Sequence, residues 1–287
     1  MKNMLFIMNP KAGRTTLKNS LVDVLEVFCN NDYAVRTYLT KSADDAERIV
    51  QEEGANYDVI VCAGGDGTLG NTVTGYMKSG IRVPLGYIPC GSTNDFARSM
   101  DIPRETVEAA EMIVKAEPFS IDIGSLNDKN FVYVAAFGMF SDTSYATPQN
   151  MKNIFGHAAY VLQGIKSLAN VPSYKMKVTI DGDEQEGEFI FGMVSNSVSV
   201  GGFKSITRKG VEFDDGLFEG VLIRTMKTPA DLERVVRALL TGDVNERSMV
   251  SFRAHRVKFD AEDRLEDIAF LNSGCTISTA SASMMTD

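Results

Sequence analysis

The residues best suited to chemistry lie in a glycine-rich stretch at 61–77, VCAGGDGTLGNTVTGYM. Three glycines surround a single carboxylate, Asp66, directly after an apolar run. Glycine lets a backbone turn sharply or lets a large ligand approach it closely. A strand-to-helix turn of this kind exposes N–H groups that favour phosphate, and an acid among phosphates serves a bridging Mg²⁺ or accepts a proton. The stretch therefore predicts a phosphate site in which Asp66 handles a metal ion or a proton.

Two further loops have the same relation to predicted strands, at residues 9–14 and 89–95. Ligands of an open α/β sheet bind at the carboxyl ends of its strands, where all three loops are expected to meet. A glycine turn between a strand and a helix is equally often only a tight turn, so the loops alone leave a purely structural role open. The chain lacks GxxxxGK[ST], which excludes a P-loop NTPase by motif.

Strand and helix signals alternate through the first part of the chain, which predicts a parallel sheet with helices on both faces. The amphipathic helix at 17–30 carries its apolar residues on one face. The helix at 42–53 begins with Ser42 as the expected N-cap, followed by early acids that complement the helix dipole. The other predicted elements are strands at 4–8, 34–39, 59–63 and 83–88, and helices from about Thr68, at 94–99 and at 105–115.

After Pro118 strand-like segments dominate, which predicts a second, mostly antiparallel domain. Asp181-Gly182-Asp183 has the composition of a hairpin turn between two of these strands. The predicted strands are 120–125, 130–137, 175–180, 186–195, 217–224 and 256–260, and the predicted helices are 155–169 and 229–240.

Composition and charge limit the classes of function. The chain has 287 residues, 44% hydrophobic and 23% charged, which indicates one large globular domain or two ordinary ones. A net charge of −9 argues against nucleic acid as a partner. No apolar run approaches the roughly 18 residues that a membrane-spanning helix needs, and the first residues lack the pattern of a signal peptide. We therefore expect a cytoplasmic protein without a transmembrane segment.

Cysteine and histidine supply little chemistry here. The four cysteines are far apart and without metal-ligand spacing, so free thiols in a reducing compartment are expected. Only two histidines are present, His157 and His255, which makes a His-based triad or a His-rich metal site hard to build.

The combination of motifs is more specific than any single one. GGDGT at 64–68 followed by IPCGSTNDFARSM at 88–100 resembles the diacylglycerol kinase catalytic-domain family, in particular its bacterial soluble lipid kinases. Further similar segments are NPKAG at 9–13, IDIG at 121–124 and DDGLF at 214–218, so the resemblance extends to about residue 270. NAD kinases and sphingosine kinases share GGDGT, but the NDFAR segment favours the lipid-kinase branch.

The resemblance implies a two-domain fold and an ATP- and Mg²⁺-dependent transfer of phosphate to a lipid hydroxyl. We expect an α/β nucleotide-binding domain of Rossmann-like, NAD-kinase/diacylglycerol-kinase type at 1–125. A mostly antiparallel β-sandwich lipid-substrate domain is expected at 126–271, and an atypical tail at 272–287. The lipid is diacylglycerol or a related one. The alternatives are an NAD kinase-like enzyme and a catalytically silent member that binds Mg-ATP or lipid.

Site residues follow from the resemblance position by position. Asp66 serves the Mg-ATP centre as the catalytic carboxylate, and Ser92 stands where the family usually has a threonine that contacts ATP. The expected nucleotide-binding set is Asn9, Pro10, Lys11, Ala12, Gly13, Thr40, Gly65, Asp66, Gly67, Thr68, Leu69, Gly70, Asn71 and Ser92.

The resemblance also implies a second, structural Mg²⁺. Asp215 would hold it together with the main-chain oxygens of Glu212 and Leu217, a donor set that is chemically ordinary for this cation. A network of Asn94, Asp95 and Asp122 would join it, the acids through water. The alternative interpretation of 214–216 is an exposed turn.

The chain departs from the family pattern in three places. The loop after GGDGT continues Leu69-Gly70-Asn71 rather than LNE, and the segment from 201 lacks the usual proline pattern. The family's C-terminal DGE motif, whose glutamate deprotonates the lipid hydroxyl, would fall at 271–274, where no acid is present. A second register offers Glu262 as the base. The last sixteen residues are small and polar where the family has a returning apolar strand.

The lipid substrate implies a partner at the membrane surface, reached by peripheral contact from the cytoplasm. The resemblance leaves the formation of a homodimer open. An apolar groove for the lipid tails would draw on second-domain side chains that have an ordinary core role as the alternative, namely Phe137, Met139, Phe140, Phe155, Tyr160 and Leu162.

Overall fold

The computed structural model describes residues 1–12, 16–92, 94–126, 129–138, 173–196, 212–226, 228–241, 247–261 and 275–285. Contacts divide the chain into two units. The first comprises Met1–Ile123, Lys129–Val132 and Ala280–Asp287, and the second comprises Gly124–Asp128 and Tyr133–Thr279. The domain bounds expected from the sequence stay a prediction.

The first unit contains a parallel sheet. Its strands are β1 (Lys2–Met8), β2 (Tyr33–Leu39), β3 (Val59–Gly64) and β4 (Leu85–Pro89), in the order β2-β1-β3-β4. Every residue of β3 and β4 is buried. Continuous apolar runs of this kind are typical of parallel strands that are covered on both faces.

Helices connect these strands, which confirms the predicted α/β alternation. They are α1 (Thr16–Asn30), α2 (Asp45–Glu53), α3 (Asp66–Ser79), α4 (Asp95–Ser99) and α5 (Thr106–Lys115), with a 3-10 turn at Gly54–Asn56.

Two predicted helix starts are wrong in detail. Helix α2 begins at Asp45 rather than after Ser42, because the Asp45 carboxylate accepts the N–H groups of Lys41 and Ser42 at 2.7 and 3.2 Å. Ser42 is therefore bound by the helix start and does not cap it. Helix α3 begins at Asp66, two residues before the predicted Thr68, so Asp66 lies in its first turn, where a negative charge complements the dipole.

The second unit is built from antiparallel strands, as predicted. Strand β5 (Pro118–Leu126) enters it from the first unit, which also contains β6 (Lys129–Phe131). The strands that follow are β7 (Val134–Gly138), β8 (Tyr174–Ile180), β9 (Asp183–Ser195), β10 (Phe218–Arg224), β11 (Met249–Ala254) and β12 (Arg256–Ala261). The long strand β9 pairs with β7, β8 and β10, while β11 pairs with β10 and β12 pairs with β8.

Local chemistry explains two features of the second unit, its hairpin turn and the packing of its helix. Asp181 and Gly182 have φ values of 48° and 102°, the left-handed pair that a two-residue hairpin turn requires. Helix α6 (Pro229–Thr241) packs Val235 and Ala238 into an apolar cluster with residues of β9, β10 and β11.

The single strand predicted at 130–137 is wrong, since β6 and β7 are separate, and β11 was not predicted. The predicted helix at 155–169 lies outside the described residues.

The C-terminal segment forms a strand, β13 (Cys275–Met285), although its residues are small and polar. In the second unit it pairs antiparallel with β12, and in the first unit its end pairs parallel with β4. This strand was not predicted from the sequence, because its residues lack the apolar run that the family has here. No helix in the described part of the chain is both long and apolar enough to cross a bilayer.

Gly75 permits the close contact between α2 and α3. A Cβ at Gly75 would lie 2.4 Å from the carbonyl oxygen of Glu47. We expect Gly75→Ala to lower the free energy of unfolding by ~1–3 kcal/mol, because overpacking exceeds the gain in helix propensity.

Gly70→Ala on the same helix is the matched control, since a Cβ there meets nothing within 4 Å. This substitution should raise the free energy of unfolding by about 0.5–1 kcal/mol. Urea unfolding of both variants measures the difference, and equal stability of the two would contradict the packing role of Gly75.

Candidate active site

Three loops converge at the carboxyl edge of the parallel sheet. The N–H of Asn9, after β1, donates to the carbonyl of Ala63 at 2.9 Å. The N–H of Cys90, after β4, donates to the carbonyl of Gly64 at 2.7 Å. Both bonds fasten a neighbouring strand end to the end of β3. The predicted meeting of the loops at one edge is what these bonds produce.

The backbones of two of these loops touch each other. A Cβ at Gly91 would lie 2.6 Å from the Cα of Gly65, and a Cβ at Gly65 would lie 3.2 Å from the Cα of Gly91. Backbone atoms cannot withdraw as a flexible side chain can, so the approach requires glycine. The glycines of GGDGT and of PCGS therefore have a structural reason as well as an expected functional one.

Asn94 holds the second loop in shape. Its side-chain oxygen accepts the N–H of Gly91 at 2.8 Å, and its amide group donates to the carbonyl of Gly91 at 2.9 Å. Asn94 is 8% exposed and has φ 50°, a left-handed conformation that asparagine tolerates better than most residues. The hydroxyl of Tyr87 donates to the carbonyl of Gly64 at 3.1 Å, beside the same loop.

The Asp66 carboxylate lies between the two loops. It accepts the N–H groups of Asp95 and Phe96, at the start of α4, at 3.3 and 3.4 Å. Burial raises the pKa of Asp66 above its usual value, and the nearby Asp95 charge raises it further, while the amide contacts lower it. Asp66 is thus the partly buried carboxylate that the sequence predicts for this edge of the sheet.

Gly67 and Gly70 present an open surface at the start of α3. A Cβ at either position would meet nothing within 4 Å. A glycine inside a helix costs about 1 kcal/mol relative to alanine, and packing against the described residues does not require it at Gly70. Space for a ligand close to the helix backbone is a physical reason for both glycines.

Other members of the predicted nucleotide set surround this edge. The Asn9 side chain donates to the Thr68 hydroxyl at 3.0 Å and accepts the N–H of Lys11 at 3.0 Å. The Asn71 side chain donates to the carbonyl of Ala43 at 2.8 Å. Each of these side chains therefore joins two segments of the same edge.

The remaining members differ in exposure. Thr40 is buried and follows β2, Lys11 and Ser92 are exposed, and Pro10 and Ala12 are half-buried. Leu69 is 1% exposed, so its side chain belongs to the core and only its backbone is free for the expected role. Gly13 lies outside the described residues.

The second-unit site has Asp215 at its centre. One oxygen of its carboxylate accepts the N–H of Leu217 at 2.9 Å, and the other contacts the guanidinium of Arg253. Arg253 also lies 3.0 Å, from Nε to Oε1, from Glu219. Arg253 and Glu219 were missed by sequence reasoning, although an acid inside the apolar strand FEGVLIR was the available signal.

Glu219 is a buried carboxylate with a perturbed pKa. The residue is 3% exposed, and burial raises its pKa to about 7 in spite of the opposing charge of Arg253. Its Oε2 atom has no hydrogen-bond partner within the part of the chain that the structure describes.

The donor set at Asp215 fits a hard cation. One carboxylate, the carbonyl oxygens of Glu212 and Leu217, and water are ligands that Mg²⁺ accepts. Between the gaps of the described ranges, no group of three or more His, Cys, Asp or Glu side chains forms an all-side-chain metal site. Asp95 and Asp122, the acids of the predicted network, are buried in the first unit at 7% and 5% exposure.

The chain therefore combines a parallel α/β unit, which carries glycine loops at the carboxyl edge of its sheet, with an antiparallel β unit. Residues 3–126 match the diacylglycerol kinase catalytic domain, and residues 136–278 match the YegS C-terminal NAD kinase beta sandwich-like domain. The chain is 32% identical over 269 residues to the diacylglycerol kinase of Bacillus subtilis (strain 168), covering 93% of this chain and 88% of the relative. It is 33% identical over 255 residues to the diacylglycerol kinase of Staphylococcus aureus (strain JH9), covering 88% and 79%.

Solved structures have the same fold. A crystal structure of a diacylglycerol kinase from Bacillus anthracis str. Sterne covers 100% of this chain and 97% of its own, with a TM-score of 0.76 and 24% identity. A second structure from that organism gives a TM-score of 0.81 at 25% identity, with the same coverage. The chain belongs to the diacylglycerol kinase family, whose members are lipid kinases that transfer phosphate to an alcohol group.

Asn94 provides a test of loop shape. Asn94→Gly keeps the left-handed backbone but removes both bonds to Gly91, and it should lower the free energy of unfolding by about 1–3 kcal/mol. Asn94→Ala should lose ~1 kcal/mol more, because alanine is strained at positive φ. Urea unfolding separates the two variants. A wild-type stability of Asn94→Gly would show that the side chain does not hold the loop.

Proposed function

We propose that the protein is an ATP- and Mg²⁺-dependent lipid kinase that phosphorylates a hydroxyl group of diacylglycerol or a related lipid. The observation that supports this most directly is the placement of the Asp66 carboxylate between two glycine loops whose backbones touch. Membership of the diacylglycerol kinase family supports the class of reaction.

In this proposal the glycine loops bind the phosphates of ATP. The turn at Gly65–Gly67 and the start of α3 direct N–H groups and the positive end of the helix dipole to the sheet edge, which favours phosphate. Gly67 and Gly70 leave room for the nucleotide against the backbone. The hydrogen bond between the side chains of Asn9 and Thr68 fixes the loop after β1 next to the loop after β3. These residues orient the nucleotide, and orientation is a large part of phosphoryl-transfer catalysis.

Asp66 supplies a carboxylate at this centre. Bound Mg²⁺ supplies neutralisation of the phosphate oxygens when it is present. The amides of Asp95 and Phe96 fix the carboxylate, and its raised pKa leaves it suited either to offer oxygens to the cation or to accept a proton. The base that deprotonates the lipid hydroxyl is Glu262 or a water relay, and Glu262 lies outside the described residues.

Asp215 would hold a structural cation in the second unit, together with the carbonyl oxygens of Glu212 and Leu217. The hydrogen bond from the Leu217 N–H orients the Asp215 carboxylate.

The protein reaches the lipid at the membrane surface by peripheral contact from the cytoplasm. A homodimer is compatible with this peripheral contact.

The test is transfer of the γ-phosphate of radiolabelled ATP to a panel of lipids in mixed micelles, with and without Mg²⁺. The panel contains diacylglycerol, phosphatidylglycerol, a sphingoid base and a polyprenol, and NAD is tested beside them. Label in one lipid, dependent on Mg²⁺, is expected. Label in NAD alone would establish the NAD kinase alternative, and tight Mg-ATP binding without any transfer would establish a silent family member.

Asp66→Asn tests the site assignment. The variant keeps the shape of the side chain but loses its charge, so we expect the turnover number to fall roughly 10²–10³-fold. Asp32→Asn is the matched control. Asp32 is exposed, and its main-chain carbonyl oxygen accepts the N–H of Lys2 at the opposite edge of the sheet. Asparagine tolerates the φ of 63° at this position. Unchanged nucleotide binding and turnover in Asp66→Asn would refute the assignment.

A further inference from the structure

Arg253 connects two carboxylates of unequal exposure. Arg253 and Glu219 are direct partners across β11 and β10, and the guanidinium contacts Asp215 as well. The side chain of Glu219 is 4% exposed and that of Asp215 is 18% exposed. The Arg253 guanidinium therefore contacts both a buried carboxylate, that of Glu219, and a more exposed one, that of Asp215.

The pairing with Glu219 is incomplete. Oε2 of Glu219 is buried without a hydrogen-bond partner in the described ranges, and Nε of Arg253 lies at ion-pair distance from Oε1 without hydrogen-bond alignment. A guanidinium carries five donors and can bind both oxygens of one carboxylate side by side. A buried charged oxygen without a partner is costly, so Glu219 gains more from full pairing than the more exposed Asp215 does.

We propose that the Arg253 guanidinium exchanges between two carboxylates, those of Asp215 and Glu219. This counter-ion exchange governs the binding of a divalent cation at Asp215. In the structure the Arg253 guanidinium forms an ion pair with the carboxylate of Asp215. When a divalent cation binds there, the guanidinium moves onto both oxygens of Glu219. The inference rests on the cation site of the proposed function. Arg253 and Glu219 are positioning residues, because they act on the metal through Asp215.

Two substitutions have opposite consequences for the cation. Removal of Arg253 removes the competitor for Asp215, so the cation binds more tightly. Removal of the Glu219 charge takes away the alternative partner, so cation binding leaves a partly buried guanidinium unpaired and becomes weaker. A residue that only supports the fold would weaken binding in both cases.

The experiment measures Mn²⁺ affinity without nucleotide, from the electron paramagnetic resonance signal of free Mn²⁺. We expect Arg253→Met to lower the Kd about tenfold and Glu219→Gln to raise it about tenfold, the value of one charge-assisted hydrogen bond. Arg224→Met is the matched control. It removes a cation from the neighbouring strand, where Arg224 lies over the Phe189 ring, and should leave the Kd unchanged.

A double-variant comparison separates exchange from simple electrostatics. Through-space effects of the two charges add, so Glu219→Gln would then weaken binding equally whether or not Arg253 is present. The exchange predicts that Glu219→Gln has no effect once Arg253 is replaced by Met. Additive factors overturn the exchange and leave the proposed function standing. Mn²⁺ binding that is unchanged in Asp215→Asn overturns the cation site and the exchange together.

A second measurement covers the case in which Arg253→Met does not fold, because it leaves Glu219 buried without its counter-ion. The Nε–H signal of Arg253 in a ¹⁵N NMR spectrum is assigned by its absence from the double variant Arg253→Met, Glu219→Gln. Titration with Mg²⁺ should shift this signal in the wild-type protein and leave it in place in Asp215→Asn. A wild-type signal that stays unchanged at saturating Mg²⁺ overturns the exchange.

Discussion

The contact between the backbones of Gly65 and Gly91 is the constraint on which the candidate active site depends. It brings the end of β3 and the loop after β4 closer than any side chain permits. Because the loops are this close, the carboxylate of Asp66, on the first, reaches the amides of Asp95 and Phe96, after the second. Asn94 then holds the second loop in the required shape. The glycines are required by the geometry of the protein, and the proposed phosphate binding uses the same geometry.

Burial of charge is the second theme of this structure. Asp66 is partly buried and Glu219 is almost fully buried, and burial raises the pKa of each. A partly desolvated carboxylate is expensive for a fold to maintain, which makes such groups candidates for function. The difference between the two lies in their partners. Amide groups hold Asp66, whereas an arginine shared with Asp215 holds Glu219.

The sequence predicts the parallel sheet well because its strands are continuous apolar runs and its helices are amphipathic. It also predicts the meeting of the loops, since parallel strands bring their carboxyl ends to one edge. The start of α2 was misplaced because the Asp45 side chain accepts the N–H groups of Lys41 and Ser42 and so holds Ser42 ahead of the helix. Strand β13 was missed because its pairing with distant strands overrides weak local propensity.

Candidate residues that lie within a sequence motif were predicted. Those whose role depends only on a tertiary contact were missed. Asp66 and Asn94 lie within recognisable motifs. Arg253 has no sequence signal, since its significance comes from its register opposite Glu219 on the next strand. Cross-strand pairs of this kind depend on the register between the strands, which single-sequence patterns do not define.

Hydrogen exchange directly tests the proposal that two contacting glycine loops bind the phosphates of Mg-ATP. Exchange of the backbone amides at 64–71 and 89–96 is measured by mass spectrometry with and without Mg-ATP. We expect both segments to become protected together, at the same nucleotide concentration. Protection of only one segment, or of neither while the nucleotide is bound, would contradict it.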